Sequence, residues 1–285
     1  MEGRKVNYID GRWIDGNPPV IGPMSHSVWM ASSVFDGARA YRGLAPDLDR
    51  HCARVVRSAL AMGLEPMLSP GEIEAIAWEG IERFPPGTAL YIRPMFWAEE
   101  GFIVAKPEST RFVMTIVEAP MPAERRLTAC LSSFRRPAPD MAPTEAKTGA
   151  LYPNVARMLR EARSRGVDTA VALDPLGHVA EFATANLFMA KDGVVRTPAA
   201  NGTFLAGITR ARVIGLLRDD GVAVEECALG FADLLTADEV FATGNYAKVV
   251  PCIRIEDRGF EPGPMMARAR ALYDAFAEKE GRRRR

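Results

Sequence analysis

The chain has 285 residues, 48% of them hydrophobic and 25% charged, which is enough to bury a full core and suggests about two domains. Lysine plus arginine and aspartate plus glutamate are equal at 36 each, so no net field draws nucleic acid or a membrane surface, and neither is expected as a partner. Four scattered cysteines (Cys52, Cys130, Cys227 and Cys252) form no CxxC pair, which argues against zinc ribbons and thioredoxin-type motifs and fits a reducing cytoplasm.

In chain order, MEGRKVNYIDGRWIDG carries acids and glycines early and has no apolar signal core. Residues 4–15 alternate around Asp10-Gly11 and Asp15-Gly16, which predicts a small β-hairpin. SSVFDGARAYRG, 32–43, reads as strand, turn and strand. From Asp49 the pattern turns helical, with Val55, Val56, Ala59, Leu60 and Met62 recurring at helical spacing. A second helix is predicted over 70–84, opened by Ser69 and Pro70 and stopped by Pro85-Pro86. Residues 89–97 and 111–119 are rich in β-branched and aromatic side chains and read as strands.

The polar, proline-marked stretch 120–126 predicts an interdomain connector. Beyond it come a strand at TACLSSF, the segment APTEAKTGALYPN (142–154), and an amphipathic helix in VARMLREARSRG ended by Gly166. TAVALDPLGHVAE reads as strand, turn and strand, and NLFMAKDGVVRTP as a hairpin around Asp192-Gly193. GITRARVIGLLRDDG predicts a helix with Gly207 at its mouth, ADEVFATGN a strand running into a glycine turn, and 264–280 a last helix. No apolar run approaches the ~20 residues that span a bilayer. The arginine run 282–285 reads as a solvated tail. The expected fold is α+β, with a small domain at 1–119 and a larger one at 127–285. Each is built on a mainly antiparallel sheet with flanking helices.

Lys147 is one of six lysines beside thirty arginines, and it stands among Pro, Thr, Ala, Gly and Leu. A partly buried lysine there is disfavoured as an ammonium, leaving a neutral amine that can attack a carbonyl, the chemistry of a Schiff-base lysine. A solvated loop lysine is the competing reading. Such chemistry in a transferase calls for an electron sink, most commonly pyridoxal phosphate. That cofactor needs a lysine, an acid for the pyridine nitrogen, a hydroxyl for the ring oxygen and a phosphate cup.

Glu181, in HVAEFATANLF, is a candidate acid, or else a rim glutamate. Tyr152, five residues after Lys147, is a candidate hydroxyl, or else a core tyrosine. In LAGITR, Gly207, Ile208 and Thr209 stand where helix amides and dipole favour a phosphate, unless Thr209 is an ordinary helix cap. ATGN, 242–245, offers a second glycine turn for the cup. Arg54, with His51 one turn before it, could fork onto a phosphate, or else is a solvated arginine. Three scattered histidines give no metal site, and no GxSxG marks a hydrolase.

Together the stretches SSVFDGARAY, YIRP, APTEAKTGALYPN, AEFATANLFMAKDG, AGITR and ADEVFATG, in this order, resemble the branched-chain-amino-acid aminotransferase family of fold-type IV pyridoxal-phosphate enzymes. The resemblance covers nearly the whole chain. It implies a cofactor held between the two domains. Lys147 would be the Schiff-base lysine and proton shuttle, Glu181 the acid on the pyridine nitrogen and Tyr152 the ring-oxygen partner. Arg54, Gly207, Ile208, Thr209 and Asn245 would form the phosphate cup. Phe35, Tyr91, Arg93, Tyr246 and Ala247 would line the substrate side, with Val104 reaching a partner subunit's site.

It further implies amino transfer from an apolar, branched-chain-like amino acid to 2-oxoglutarate, by a cytoplasmic homodimer or larger homo-oligomer. D-amino-acid or amine transamination, an aminodeoxychorismate lyase, and a catalytically silent cofactor-binding protein are the alternatives. The chain departs from the family where Asn245, Tyr246 and Lys248 replace a threonine, a small residue and a glutamate, and where Met30 replaces a tyrosine. The short connector is a further departure.

Overall fold

The computed structural model describes residues 3–122 and 125–282; Ala123 and Glu124 of the expected connector and Arg283, Arg284 and Arg285 of the arginine run lie outside the described residues. The chain folds as two compact units. Among the described residues, one is 3–121 with 146–150 and 276–282, and the other is 122 and 125–145 with 151–275.

The first unit opens with strands β1 (Lys5–Ile9) and β2 (Arg12–Asp15), joined by a two-residue turn. Asp10 and Gly11 both take positive φ there, the backbone that matches the twist of a hairpin. Helix α1 (His26–Met30), strands β3 (Ser33–Phe35) and β4 (Ala38–Ala40), helices α2 (Leu48–Ala61) and α3 (Pro70–Ile81), and strands β5 (Leu90–Ala98) and β6 (Thr110–Glu118) follow. The sheet runs β2-β1-β6-β5-β3, with β4 also on β5, and every pair is antiparallel.

Helix α3 starts on a capping box between Ser69 and Glu72 with Pro70 in its first turn. It ends at Ile81, three residues inside the expected bound, ahead of a proline pair that disfavours helical backbone before it. Strand β5 alternates. Leu90, Ile92 and Phe96 join a core with Val55 and Ala59 of α2 and Ile73 and Ala77 of α3. Tyr91, Arg93 and Met95 turn to the opposite face.

Residues 146–150 follow the expected boundary in sequence yet belong to the first unit. Three hydrogen bonds explain this. The Phe35 N–H donates to the Lys147 carbonyl (3.0 Å), Thr148 Oγ1 donates to the Ser33 carbonyl (2.8 Å), and the Lys147 N–H donates to Ser58 Oγ on α2 (3.0 Å). Residues 276–282 also count with this unit, where the Ala45 N–H donates to the Gly281 carbonyl (2.6 Å).

The second unit comprises β7 (Leu127–Leu131), α4 (Tyr152–Ser164), β8 (Thr169–Leu173), β9 (Val179–Phe182), β10 (Asn186–Lys191), β11 (Val194–Pro198), α5 (Ile208–Asp219) and β12 (Val224–Cys227). It continues with α6 (Phe231–Leu235), β13 (Glu239–Gly244), β14 (Lys248–Ile255), β15 (Arg258–Gly259) and α7 (Pro264–Glu280). The sheet order is β12-β11-β10-β13-β14-β7-β8-β9, with β15 on β14. The sheet is mixed: β11–β12, β14–β7 and β7–β8 are parallel and the other pairs antiparallel. One core gathers Leu187, Met189, Val240, Ala242 and Val250, and another packs Met158 and Ala162 of α4 on Cys130, Ala170 and Ala172. No helix among the described residues is long and apolar enough to cross a membrane.

Candidate active site

In the first unit the backbone of Lys147 is pinned on both sides, by Ser58 and by Phe35. Its side chain is half-buried, and Nζ lies 5.0 Å from the centroid of the Phe35 ring. Register puts Phe35 opposite Met95 and Arg39 opposite Tyr91, so Phe35, Arg39, Tyr91, Arg93 and Met95 share one face of the sheet. A Cβ at Gly37 would stand 2.2 Å from the Tyr91 hydroxyl, so only glycine lets that phenol in. Arg93 Nε is buried with no hydrogen-bond partner, a donor awaiting an acceptor. Three of the expected substrate residues, Phe35, Tyr91 and Arg93, therefore lie on one face with the lysine amine over Phe35.

Arg54 is buried, and it is not a solvated arginine. Its Nε and Nη2 donate to the two oxygens of Asp36 at 2.7 and 2.8 Å, and His51 Nδ1 lies 2.7 Å from Asp36 Oδ1. Burial opposes ionisation of Asp36, but the Arg54 guanidinium and the His51 ring override it and hold the carboxyl well below the usual range. Sequence reasoning missed Asp36. The signal was available: an arginine on the buried face of an amphipathic helix needs a carboxylate, and SSVFDGARAY offers one.

Val104 is 79% exposed in the loop between β5 and β6, beside the exposed Phe102 and Ile103. The Phe102 ring packs on Trp29 of α1, with centroids 5.6 Å apart, and Met30 ends that same helix.

In the second unit Glu181 is buried on β9. Its Oε1 lies 3.3 Å from Arg136 Nε, and its Oε2 accepts from Asn186 Nδ2 at 3.2 Å. Arg136 Nε also donates to the Thr203 carbonyl (3.1 Å), and Asn186 Nδ2 to the Leu205 carbonyl (3.3 Å). The Asn186 amide is pressed onto the head of α5, since a Cβ at Gly207 would meet Asn186 Oδ1 at 1.8 Å.

Gly207 is the N-cap of α5 and supplies no side-chain cap. Thr209 lies inside the first turn, buried, and does not cap the helix. Across the sheet Asn186 pairs with Thr243, whose Oγ1 is buried with no partner. Asn245 Nδ2, just past β13, is likewise buried and unpartnered. Buried donors without acceptors, next to a helix start that no side chain caps, are what an anionic group satisfies.

Tyr152 is the first residue of α4 and 38% exposed; it is not a core tyrosine. Tyr246 is 48% exposed between Asn245 and the half-buried Ala247. Arg136 and Asn186 were missed by sequence reasoning, whereas Thr243 lies in the ATGN turn expected for the cup. Only FRRP and the asparagine opening an apolar strand hinted at the first two. Among the described residues no group of three or more His, Cys, Asp or Glu is arranged to hold a metal.

Residues 33–255 match the family model for amino-transferase class IV. The chain belongs to the class IV aminotransferases. This class IV aminotransferase is 31% identical over 271 residues to a branched-chain-amino-acid aminotransferase of Escherichia coli, covering 88% of this chain and 85% of that protein. Its fold matches that of an aminotransferase from Brucella abortus bound to the co-factor PLP, with TM-score 0.95 and 48% identity over 96% of this chain and 99% of that one. It also matches a branched-chain aminotransferase from Thermoproteus uzoniensis with norvaline, with TM-score 0.90 and 29% identity over 98% and 96% of the two chains. The α+β, fold-type IV architecture expected from sequence is thereby the observed one.

Proposed function

We propose that this class IV aminotransferase carries pyridoxal phosphate and moves the amino group of an apolar, branched-chain-like amino acid to 2-oxoglutarate. The observation that carries the reading is the donor set at the head of α5. There, amides that no side chain caps, Thr243 Oγ1 and Asn245 Nδ2 suit a phosphate. The cofactor-bound relative from Brucella abortus supports the same choice, and the norvaline complex of the Thermoproteus uzoniensis enzyme supports an apolar substrate.

When bound, the cofactor supplies an electron sink that lets a proton leave the substrate's α-carbon. Lys147 would hold the cofactor through its ε-amine and, once the substrate amine takes that place, would serve as the base and acid for the substrate's α-proton. Its pinned backbone fixes the origin of that amine, which favours a repeatable transfer geometry. The Arg136 and Asn186 contacts orient the Glu181 carboxylate, which would hold the cofactor's pyridine nitrogen protonated. Tyr152 would donate to the cofactor's ring oxygen. Arg54, aligned by Asp36, acts on the phosphate with Gly207, Ile208, Thr209 and Asn245. Phe35, Tyr91, Arg93, Tyr246 and Ala247 contact the substrate. Val104 serves a neighbouring subunit of a cytoplasmic homodimer, and the exposed Phe102, Ile103 and Val104 suit that burial.

The test is a visible-absorbance titration of the cofactor-loaded protein with apolar L-amino acids, D-amino acids and simple amines. The expected result is bleaching by apolar L-amino acids and recovery on adding 2-oxoglutarate. Bleaching by D-amino acids or amines alone would reassign the substrate. Failure to take up pyridoxal phosphate would overturn the reading.

A further inference from the structure

Lys248 occupies a position that the fold alone would give to another residue. Gly244 pairs with Lys248 across β13 and β14, so the connecting turn is Asn245-Tyr246-Ala247. Lys248 closes it with φ of 62°, the left-handed backbone that glycine adopts without strain and lysine does not. Its side chain is also buried, at 5% exposure, although lysines are almost never buried unless paired. Backbone strain and burial of a charge at one residue persist only where the surroundings require them.

The side chain has a specific use. Lys248 Nζ donates to Asn245 Oδ1 at 2.9 Å and lies 5.5 Å from the centroid of the Tyr273 ring. An ammonium donates and cannot accept, so the amide must turn its oxygen to Lys248 and its NH2 away. Asn245 Nδ2 is the atom left buried without a partner. Thr243, two residues earlier, keeps its own buried hydroxyl unpartnered, and its cross-strand neighbour Asn186 abuts the head of α5.

We infer that Lys248 is a positioning residue for a phosphate ester. Its ammonium locks the Asn245 amide with Nδ2 presented as a donor, polarises that amide, and adds positive charge behind it. This rests on the reading that the cofactor's phosphate is held at the head of α5 with Asn245. It assigns a role to a residue that the sequence resemblance marks as a departure from the family pattern.

The test compares apoprotein of the wild type, Lys248→Gly and Lys248→Met for affinity toward pyridoxal phosphate and toward pyridoxal, which lacks the phosphate. Binding is read by fluorescence quenching, and apoprotein melting is followed in parallel. Lys248→Gly relieves the positive φ but empties the space of the buried stem, and Lys248→Met keeps most of that stem, so the two melting curves separate an effect on the fold from an effect on the ligand. Both variants should bind pyridoxal phosphate more weakly by on the order of tenfold or more and pyridoxal unchanged. Equal weakening toward both ligands would mean a merely structural lysine and overturn the inference, as would unchanged affinity for pyridoxal phosphate. A wild type that binds pyridoxal phosphate no tighter than pyridoxal would instead sink the phosphate reading beneath it.

Discussion

Each unit buries an arginine against a carboxylate, and the two pairs are built differently. In the first unit both oxygens of Asp36 are gripped by Arg54 at 2.7 and 2.8 Å, with His51 Nδ1 and the Gly37 N–H also at 2.7 Å. In the second, Arg136 stands 3.3 Å from Glu181, Asn186 reaches the other oxygen at 3.2 Å, and Thr243 and Asn245 keep buried donors without acceptors. A saturated charge pair ties two elements together, here the β3–β4 turn and α2. A slacker pair beside unsatisfied donors holds less of the fold and keeps hydrogen-bonding capacity for a ligand. The first pair should therefore report in stability as well as in the Arg54 contact to the phosphate, and the second mainly in chemistry.

The largest expected effect lies with Lys147. Lys147→Ala should lower turnover by at least about 10⁴-fold, the upper range for a positioned proton-transfer group, with little change in melting. Steady-state amino transfer within tenfold of wild type would contradict its role.

Asp36→Asn should destabilise by about 3–5 kcal/mol, because a buried guanidinium loses its partner. Urea unfolding measures this, and a loss below about 1 kcal/mol would dissolve the distinction between the pairs. The sign with pH follows from the lowered carboxyl of Asp36. Its contribution is full above the unfolded value of about 4 and is lost as pH falls below that. The acid limb of wild-type stability should flatten in Asp36→Asn; parallel limbs would show that Asp36 is not its source.

Glu181→Gln should slow the single-turnover half-reaction on the order of 10²-fold, because the preorganised charge is gone. It should cost less stability than Asp36→Asn. An equal stability loss with an unchanged rate would make the second pair another fold anchor. The smallest effect is expected from Ser58→Ala, which removes the acceptor for the Lys147 N–H. About 1 kcal/mol of stability should go, read by the same urea unfolding.

Much of the fold was legible because its signals are local. Asp10-Gly11 and Asp192-Gly193 are turn dipeptides that accept positive φ at both positions, and both hairpins formed around them. Helices α2, α3, α4 and α5 followed from apolar spacing, Ser69-Pro70 and the terminal glycines. Strand β14 was not legible. Pro251 argues against a strand in mid-sheet, yet β14 lies between β13 and β7, and its pairing with β7 begins only at Cys252 and shifts register before Arg254. Short α1 and α6, with five residues each, carry too few turns for a periodic signal.

At the candidate site the motifs around Lys147, Glu181 and Gly207 were conspicuous in the sequence, because a lone lysine among small residues, a buried acid and a glycine at a helix mouth are local chemical oddities. Their partners were not. Ser58 lies 89 residues from Lys147, and Arg136 and Asn186 approach Glu181 from separate elements. The sequence by itself determined helices α2, α3, α4, α5 and α7, the two Asp-Gly hairpins and the family, since each depends on neighbours a few positions apart. Tertiary structure alone decided that Lys147 belongs to the first unit, that Asp36 claims Arg54, and that Lys248 is buried against Asn245. Such pairings depend on which strands and helices pack together, and long-range packing is set by the whole core rather than by any local pattern.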